Sequence, residues 1–423
     1  MFSKSTSLKF AGALFVALTL NLPARADQQL VLERIVVVER HGVRSPTKSP
    51  QALAPWADKA WPQWPVGVAD LTPHGAEGVG LVAKSIRASA VESGLLPASG
   101  CPAKGAVAVW ADGGDQRTRE SGAVMARQFA PDCGIAADYA QGVGEDPVFN
   151  ALNGTCKLDP AATMAAVNEA VGPEGIVDQR TQQSLAALQT IMAPQACEAG
   201  STGKGECLSG PSKLSASVDG LKIQGPLSTA STASEIFLLE YAQGFPMDQV
   251  GWGRIADKAG LAAVLPAHER ASELTRRLPY IAQRRGGVLA SLIVRTLAGQ
   301  TEGLTAPGII PAVKIMGFAG HDTNLANLAG IFGLEWKLPD QPDSTAPATA
   351  LAFELWRNTE GQKFVRPVLW YLPLDQLRNL SPEGAQRRQL TFGICATTGA
   401  RLCSLETLTA QISAIVPKEC RRD

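Results

Sequence analysis

The sequence predicts an α/β protein in which a sheet domain is interrupted by a mainly helical lobe. Three apolar runs come first: Arg34 to Glu39 (RIVVVE), Ala106 to Ala111 (AVAVWA) and Ala312 to Ala319 (AVKIMGFA). Their unbroken apolarity suits strands buried on both faces. Each run empties into a cluster of polar and charged residues, and ligands of open α/β sheets bind at such strand ends. Residues 157–210, rich in Ala and Gln and helical in period, separate the second run from the third, and strand-like runs return after residue 345. A chain of 423 residues, 45% apolar and 18% charged, has the length for roughly two to three folding units.

Taken in order, the first element is a leader. Lys4 and Lys9 precede the apolar stretch Phe10 to Leu20, which is too short to span a bilayer, and Ala24-Arg25-Ala26 supplies a small-x-small cleavage pattern. Residues 1–26 therefore read as a signal peptide and the protein as periplasmic or secreted. Cleavage would leave 36 basic against 39 acidic residues. This balance gives no basic footprint for nucleic acid and no polybasic patch for a membrane, and no later run reaches the length of a span.

RIVVVE leads into RHGVRSPT. Thr72-Pro73 has the form of an N-cap followed by Pro at the first helical position, which predicts a helix through Ser93. AVAVWA ends in DGGDQRTR, with a helix from Arg119 to Phe129. The pattern SASV-DG-LKIQ predicts a hairpin around Asp219-Gly220, and a helical period runs from Ser234 to Gly244. The third strand ends in GHDTN, followed by a helix from Leu325 to Phe332 closed by Gly333. ALAFELW, FVRPVLWYL and QLTFGI read as late strands. The expected division is an α/β domain of residues 27–155 and 280–423, with 156–279 inserted as a mainly α domain.

Eight cysteines follow the leader, an even number in an exported chain, which favours disulfides. Short loops make Cys197–Cys207 and Cys395–Cys403 the easy closures. No C-x-x-C occurs and the histidines stand apart from the cysteines, so no metal is expected.

The three strand ends carry Arg40-His41-Gly42-Val43-Arg44, Arg117-Thr118-Arg119 and His321-Asp322, and hold two of the chain's four histidines. Guanidiniums offer bidentate donors, and imidazole can act as donor or nucleophile; such a rim suits a phosphate dianion. Arg119 reads as a solvated helix residue. His74 reads either as a neighbour of the site or as N-terminal packing, and His268 as a helix-face residue.

With RHGVRSPTK, WPQWPV, LTPHG, RTR, EIFLLEYAQG, GWGRI, GHDTNLANLAG and LPDQPD, the chain resembles the histidine acid phosphatases, and within them the bacterial periplasmic phytases. The resemblance implies a Rossmann-like mixed sheet domain with an inserted α domain, the active site between them, no cofactor, and a monomer acting on a small phosphate ester. It implies His41 as nucleophile and Asp322 as general acid, a role that favours acidic pH. Arg40, Arg44, Arg117 and His321 would bind the phosphoryl group, and Thr47, Lys48, Glu235, Arg285 and Thr323 the rest of the substrate. It also implies the pairs Cys101–Cys133, Cys156–Cys420, Cys197–Cys207 and Cys395–Cys403.

Departures from the family pattern leave Asp112 or Asp115 as the pocket residue, put Ala348-Thr349-Ala350 where Gly-Gly-Glu is usual, and put Thr at 232 in place of a bulkier residue. The leading expectation is hydrolysis of inositol hexakisphosphate. A glucose-1-phosphatase or broad acid phosphatase is the alternative, and a catalytically silent phosphate-binding protein the non-enzymatic one.

Overall fold

The computed structural model describes residues 1–2, 30–142, 144–154, 156–198, 200, 204–300, 313–398 and 402–421. The leader, but for its first two residues, lies outside them, as does Ala312. Ten strands occur among the described residues: β1 (Val31–Arg40), β2 (Val107–Ala111), β3 (Asp138–Tyr139), β4 (Lys213–Ser217), β5 (Gly220–Gln224), β6 (Ile315–Gly320), β7 (Ala350–Arg357), β8 (Lys363–Tyr371), β9 (Gln386–Gln389) and β10 (Cys403–Ser404). Eight of them form one mixed sheet in the order β10-β8-β7-β1-β6-β2-β3, with β9 also on β8. β1, β6, β2 and β3 run parallel; β7 turns back antiparallel to β1.

β1 shows why the apolar runs are unbroken. Val36 and Val38 pack on one face against the helices Gly287–Ala298 and Asp322–Phe332, while Ile35 and Val37 pack on the other against Pro73–Glu92 and Gln116–Phe129. A strand with helices on both faces has no polar side to display. The first helix opens as expected: Thr72 Oγ1 accepts from the Gly75 N–H at 2.9 Å, and Ser93 caps the end.

In the chain between the two halves of this sheet, the helix Pro160–Val171 packs against β4, β5 and Ile281, while the helices Gln179–Met192, Pro226–Ala242, Lys258–Val264 and Pro266–Ser272 pack together as a layer. Its core gathers Leu188, Ile191, Phe237, Leu238 and Leu261, and it also takes Leu53, Ala57, Trp61 and Leu374 from outside residues 156–279.

Several elements differ from the sequence reading. The helix expected from Arg119 begins at Gln116, and that expected from Leu325 begins at Asp322, so each starts with the residues that follow its strand. The helix expected from Ser234 starts at Pro226. The hairpin pairs Ser217 with Gly220, so its turn is Val218-Asp219 rather than Asp219-Gly220. QLTFGI is not a strand. The strand is Gln386–Gln389, an edge whose Arg387 reaches buried Glu354, and Leu390 and Phe392 then drop into the core. An edge strand tolerates charge that a central strand does not.

The structure joins Cys101 to Cys133, Cys156 to Cys420, Cys197 to Cys207 and Cys395 to Cys403. No helix among the described residues is long and apolar enough to cross a membrane.

Candidate active site

β1, β6 and β2 end side by side, and the chain beyond them stays hydrogen-bonded. The His41 N–H donates to the Gly320 carbonyl at 2.9 Å, and the Asp112 N–H to the Ala319 carbonyl at 3.0 Å. His41, His321 and Asp112 are therefore neighbours because their strands are. The RHG loop closes on the first turn of the helix Pro73–Glu92. A Cβ at Gly42 would stand 2.0 Å from the Gly75 carbonyl oxygen, and one at Gly75 would stand 2.1 Å from the Val43 oxygen. The glycines of RHG and TPHG are two halves of one backbone contact.

His41 is 2% exposed, and its Nδ1 lies 2.8 Å from the Gly42 carbonyl. A carbonyl only accepts, so Nδ1 carries the proton and the neutral ring keeps its lone pair on Nε2. Burial, then the charges of Arg40, Arg117 and Arg44, hold the His41 pKa well below the ordinary imidazole value. The ring is therefore neutral, as a nucleophile requires.

Around it every guanidinium is paired with an acid, and Arg40 and Arg44 share one. Glu235 accepts from Arg40 Nη2 at 2.6 Å and Arg44 Nη2 at 3.1 Å. Burial alone would raise the Glu235 pKa, but Arg44 and Arg40 bring it down to about 2. Asp115 forms a double hydrogen bond with Arg117 at 2.8 and 2.7 Å. Buried Asp112 accepts a hydrogen bond from the His321 Nε2–H at 2.8 Å, and its other oxygen accepts the N–H groups of Gly114 and Asp146. Both aspartates thus belong to the site: Asp112 holds the histidine and Asp115 the arginine. The Nε–H groups of Arg40, Arg44 and Arg117 are buried without a partner, and those of Arg44 and Arg117 are donors that a bound anion could satisfy.

A cavity of about 490 Å³ opens over His41, large enough for more than one phosphate group. Arg44, Thr47, Asp115, Arg117, Glu235, His321, Asp322 and Thr323 line it, as do four residues that the sequence reading did not select: Gly114, Glu145, Ser231 and Arg276. Arg276 donates to Asp322 Oδ2, and the Thr323 N–H holds Oδ1 at 2.8 Å. Burial pushes the Asp322 pKa up, yet Arg276, Arg40 and His268 together hold it well below the usual carboxylate range.

Three residues sit off the cavity. Arg40 is fully buried behind Glu235, its Nη1 donating to the Thr345 carbonyl at 2.5 Å. The Lys48 ammonium stands 5.5 Å over the Trp56 ring, and Arg285 lies 3.7 Å from Glu145. His268 corrects the reading of it as a helix-face residue: it lines the cavity, 4% exposed, with its Nε2 buried and without a partner. His74 is N-terminal packing, held by the Leu377 carbonyl at 2.7 Å, and Arg119 binds the Gly113 carbonyl. At the usual Gly-Gly-Glu position, Ala348 adopts a left-handed φ of 61°, which glycine adopts more readily.

Two donor sets, Asp112/Asp115/His321 and Glu235/His268/Asp322, come close enough to share an ion. Their carboxylates are already committed to Arg40, Arg44, Arg117, Arg276 and His321, and those guanidiniums oppose a cation.

Residues 31–369 match the profile of the histidine phosphatase superfamily, branch 2. The chain belongs to that family. It is 36% identical to the phytase AppA of Escherichia coli (strain K12) over 91% of this chain and 92% of that protein. It is 26% identical to a glucose-1-phosphatase of Providencia rettgeri over 89% of each. Among solved structures it is similar to a Hafnia alvei phytase in complex with myo-inositol hexakis sulphate, with a TM-score of 0.85 at 35% identity, covering 92% of this chain and 98% of that one. The Citrobacter braakii phytase gives 0.84 at 34%, covering 93% and 99%. The fold is the histidine phosphatase fold, and the chain is a phosphate-ester-hydrolysing enzyme of this family.

Proposed function

We propose that this enzyme is a phytase, which hydrolyses inositol hexakisphosphate through a phosphohistidine on His41. The observation that carries the reading is the neutral His41, its Nε2 lone pair left for a cavity walled by Arg44, Arg117 and His321, with Asp322 beside it. The 36% identity to a phytase, against 26% to a glucose-1-phosphatase, favours the polyphosphate over a sugar monophosphate.

In this mechanism His41 Nε2 attacks phosphorus in line. The N–P bond forms as the P–O bond to the alcohol breaks, and Asp322 gives its proton to the departing oxygen. Water then attacks the phosphohistidine and returns a proton to Asp322, which releases phosphate and restores His41. Arg40, Arg44, Arg117 and His321 stabilise the charge spread over the phosphoryl oxygens. Thr47 and Thr323 would contact the remainder of the substrate, and Lys48 and Arg285 would act from the rim on distant phosphates. Glu235 orients Arg40 and Arg44. Residues 156–279 would serve as the inserted lobe that closes the site over the sheet domain of 27–155 and 280–423.

The leader and the four cystine pairs support a periplasmic protein.

The deciding experiment compares kcat/KM for phytate, glucose 1-phosphate and p-nitrophenyl phosphate, with quenching in alkaline detergent to trap labelled enzyme. The expected result is preference for phytate and an acid-labile phosphoryl group that H41A abolishes. Preference for glucose 1-phosphate would overturn the substrate, and substantial turnover by H41A would overturn the covalent route.

A further inference from the structure

Arg276 belongs to a π-helical turn, Glu273–Arg277, a geometry that often marks functional sites within helices. The turn is clamped to the helix that starts at Asp322. The Asn327 side chain donates to the Arg276 carbonyl at 2.6 Å, and Arg277 donates to the Leu334 carbonyl at 2.7 Å. Gly330 admits the Arg277 carbonyl so closely that a Cβ there would stand 2.1 Å from its oxygen. Anchored this way, Arg276 lays Nη1 on Asp322 Oδ2 while part of its side chain stays open to the cavity.

The position has a chemical consequence. Asp322 serves the oxygen of the leaving alcohol, so a cation bonded to Asp322 lies on the alcohol's side of the cavity. An uncharged alcohol offers that cation nothing. An alcohol that carries further phosphates offers a dianion, which competes well with one carboxylate for a guanidinium. The two partners also exclude each other, because an Asp322 that carries a proton gives up most of its attraction for Arg276.

We propose that Arg276 is a positioning and specificity-determining residue that exchanges Asp322 for a neighbouring phosphate of a polyphosphorylated alcohol, so that the substrate itself frees Asp322 to carry the proton it donates. This deepens the phytase reading and rests on it. The groups that act on Asp322 come from every element around it: Arg40 from β1, Arg117 from Gln116–Phe129, Glu235 from Pro226–Ala242, His268 from Pro266–Ser272, and Arg285 from Pro279–Arg285, with His321 adjacent in the chain. Burial favours the neutral acid, and Arg276 is the strongest of the charges that oppose it. Its departure therefore moves Asp322 toward the protonated form.

The test uses the alkaline limb of the pH dependence of kcat, which reports the acid in the enzyme–substrate complex. It compares myo-inositol monophosphate with the hexakisphosphate, two substrates with the same kind of leaving alcohol. In the wild type the limb should lie at least about one pH unit higher for the hexakisphosphate. R276Q should raise the monophosphate limb to meet it, leave the hexakisphosphate limb nearly in place, and raise KM for the hexakisphosphate about tenfold with little change for the monophosphate. R276K, which keeps the charge, should restore the separation in part. Coincident limbs in the wild type, a measurement that needs no variant, would overturn the inference, as would an R276Q profile that moved equally on both substrates or on neither. A wild type that cleaved the monophosphate and left the hexakisphosphate intact would overturn the phytase reading, and this inference with it.

Discussion

Glu235 and Glu240 lie on the same helix, Pro226–Ala242, and their surroundings pull them in opposite directions. Glu235 faces two guanidiniums and falls from 4.5 to about 2. Glu240 is buried, with only the Gly251 N–H on Oε2 at 2.9 Å, and rises from 4.5 to about 8. A tenfold change in proton affinity on folding is worth about 1.4 kcal/mol. For Glu235 the depressed pKa is a stabilisation of about 3 kcal/mol, present in full above pH 4.5 and lost as pH falls through about 2. For Glu240 the raised pKa is a cost that grows as pH rises from 4.5 and levels off above about 8, reaching about 3 kcal/mol at pH 7.

The substitutions E235Q and E240Q isolate these contributions. E235Q should lose about 3 kcal/mol near pH 6, and the loss should shrink toward pH 2. E240Q removes the titration and its cost but adds an amide with no partner for about 1 kcal/mol, since Glu240 Oε1 is already buried without one. It should therefore be about 2 kcal/mol more stable than wild type at pH 7 and about 1 kcal/mol less stable at pH 4. Urea midpoints at pH 3, 4, 5.5 and 7 read both. A pH-independent difference for either variant would refute the assigned environment. The same sign for both at pH 7 would refute the reasoning as a whole.

Two further outcomes follow from the same geometry. D112N, which disrupts the acceptor that orients His321, should lower kcat roughly 10²-fold with less effect on KM; an unchanged kcat would make that pair structural only. Removing Cys156–Cys420, which spans 264 residues, should destabilise by about 3 kcal/mol more than removing Cys197–Cys207, which spans 10. Equal urea midpoints for the two variants would refute the loop-closure account.

The strand ends were readable because burial on both faces demands unbroken apolar runs and leaves charge to stand out where they stop. His41, Arg44, Arg117, His321 and Asp322 were visible for that reason. What stayed hidden depends on how helices begin and turn. No local pattern in ASELTRRLP marks the π-helical turn that aims Arg276 at Asp322 and sends Arg277 to Leu334. His268 looked like any helix residue because its helix buries the face that lines the cavity. QLTFGI has the composition of a strand, but Leu390 and Phe392 are used as core pegs below an arginine-rich edge.

The pairing of charges around His41 explains how so many cations can be buried together before any phosphate arrives. Glu235 is shared by Arg40 and Arg44, Asp115 pairs with Arg117, and Asp112 holds His321. Burying those guanidiniums without such partners would cost far more than a fold of this size can bear. In our mechanism those three acids keep their partners throughout the reaction, because donors such as the spare Nε–H groups serve the phosphoryl oxygens without breaking the pairs. Asp322 is different. It neutralises Arg276 at rest, but the reaction asks it to hold and transfer a proton, and it cannot do both. In our mechanism a further phosphate on the substrate gives Arg276 another partner, and a monophosphate, which offers none, is turned over only at lower pH.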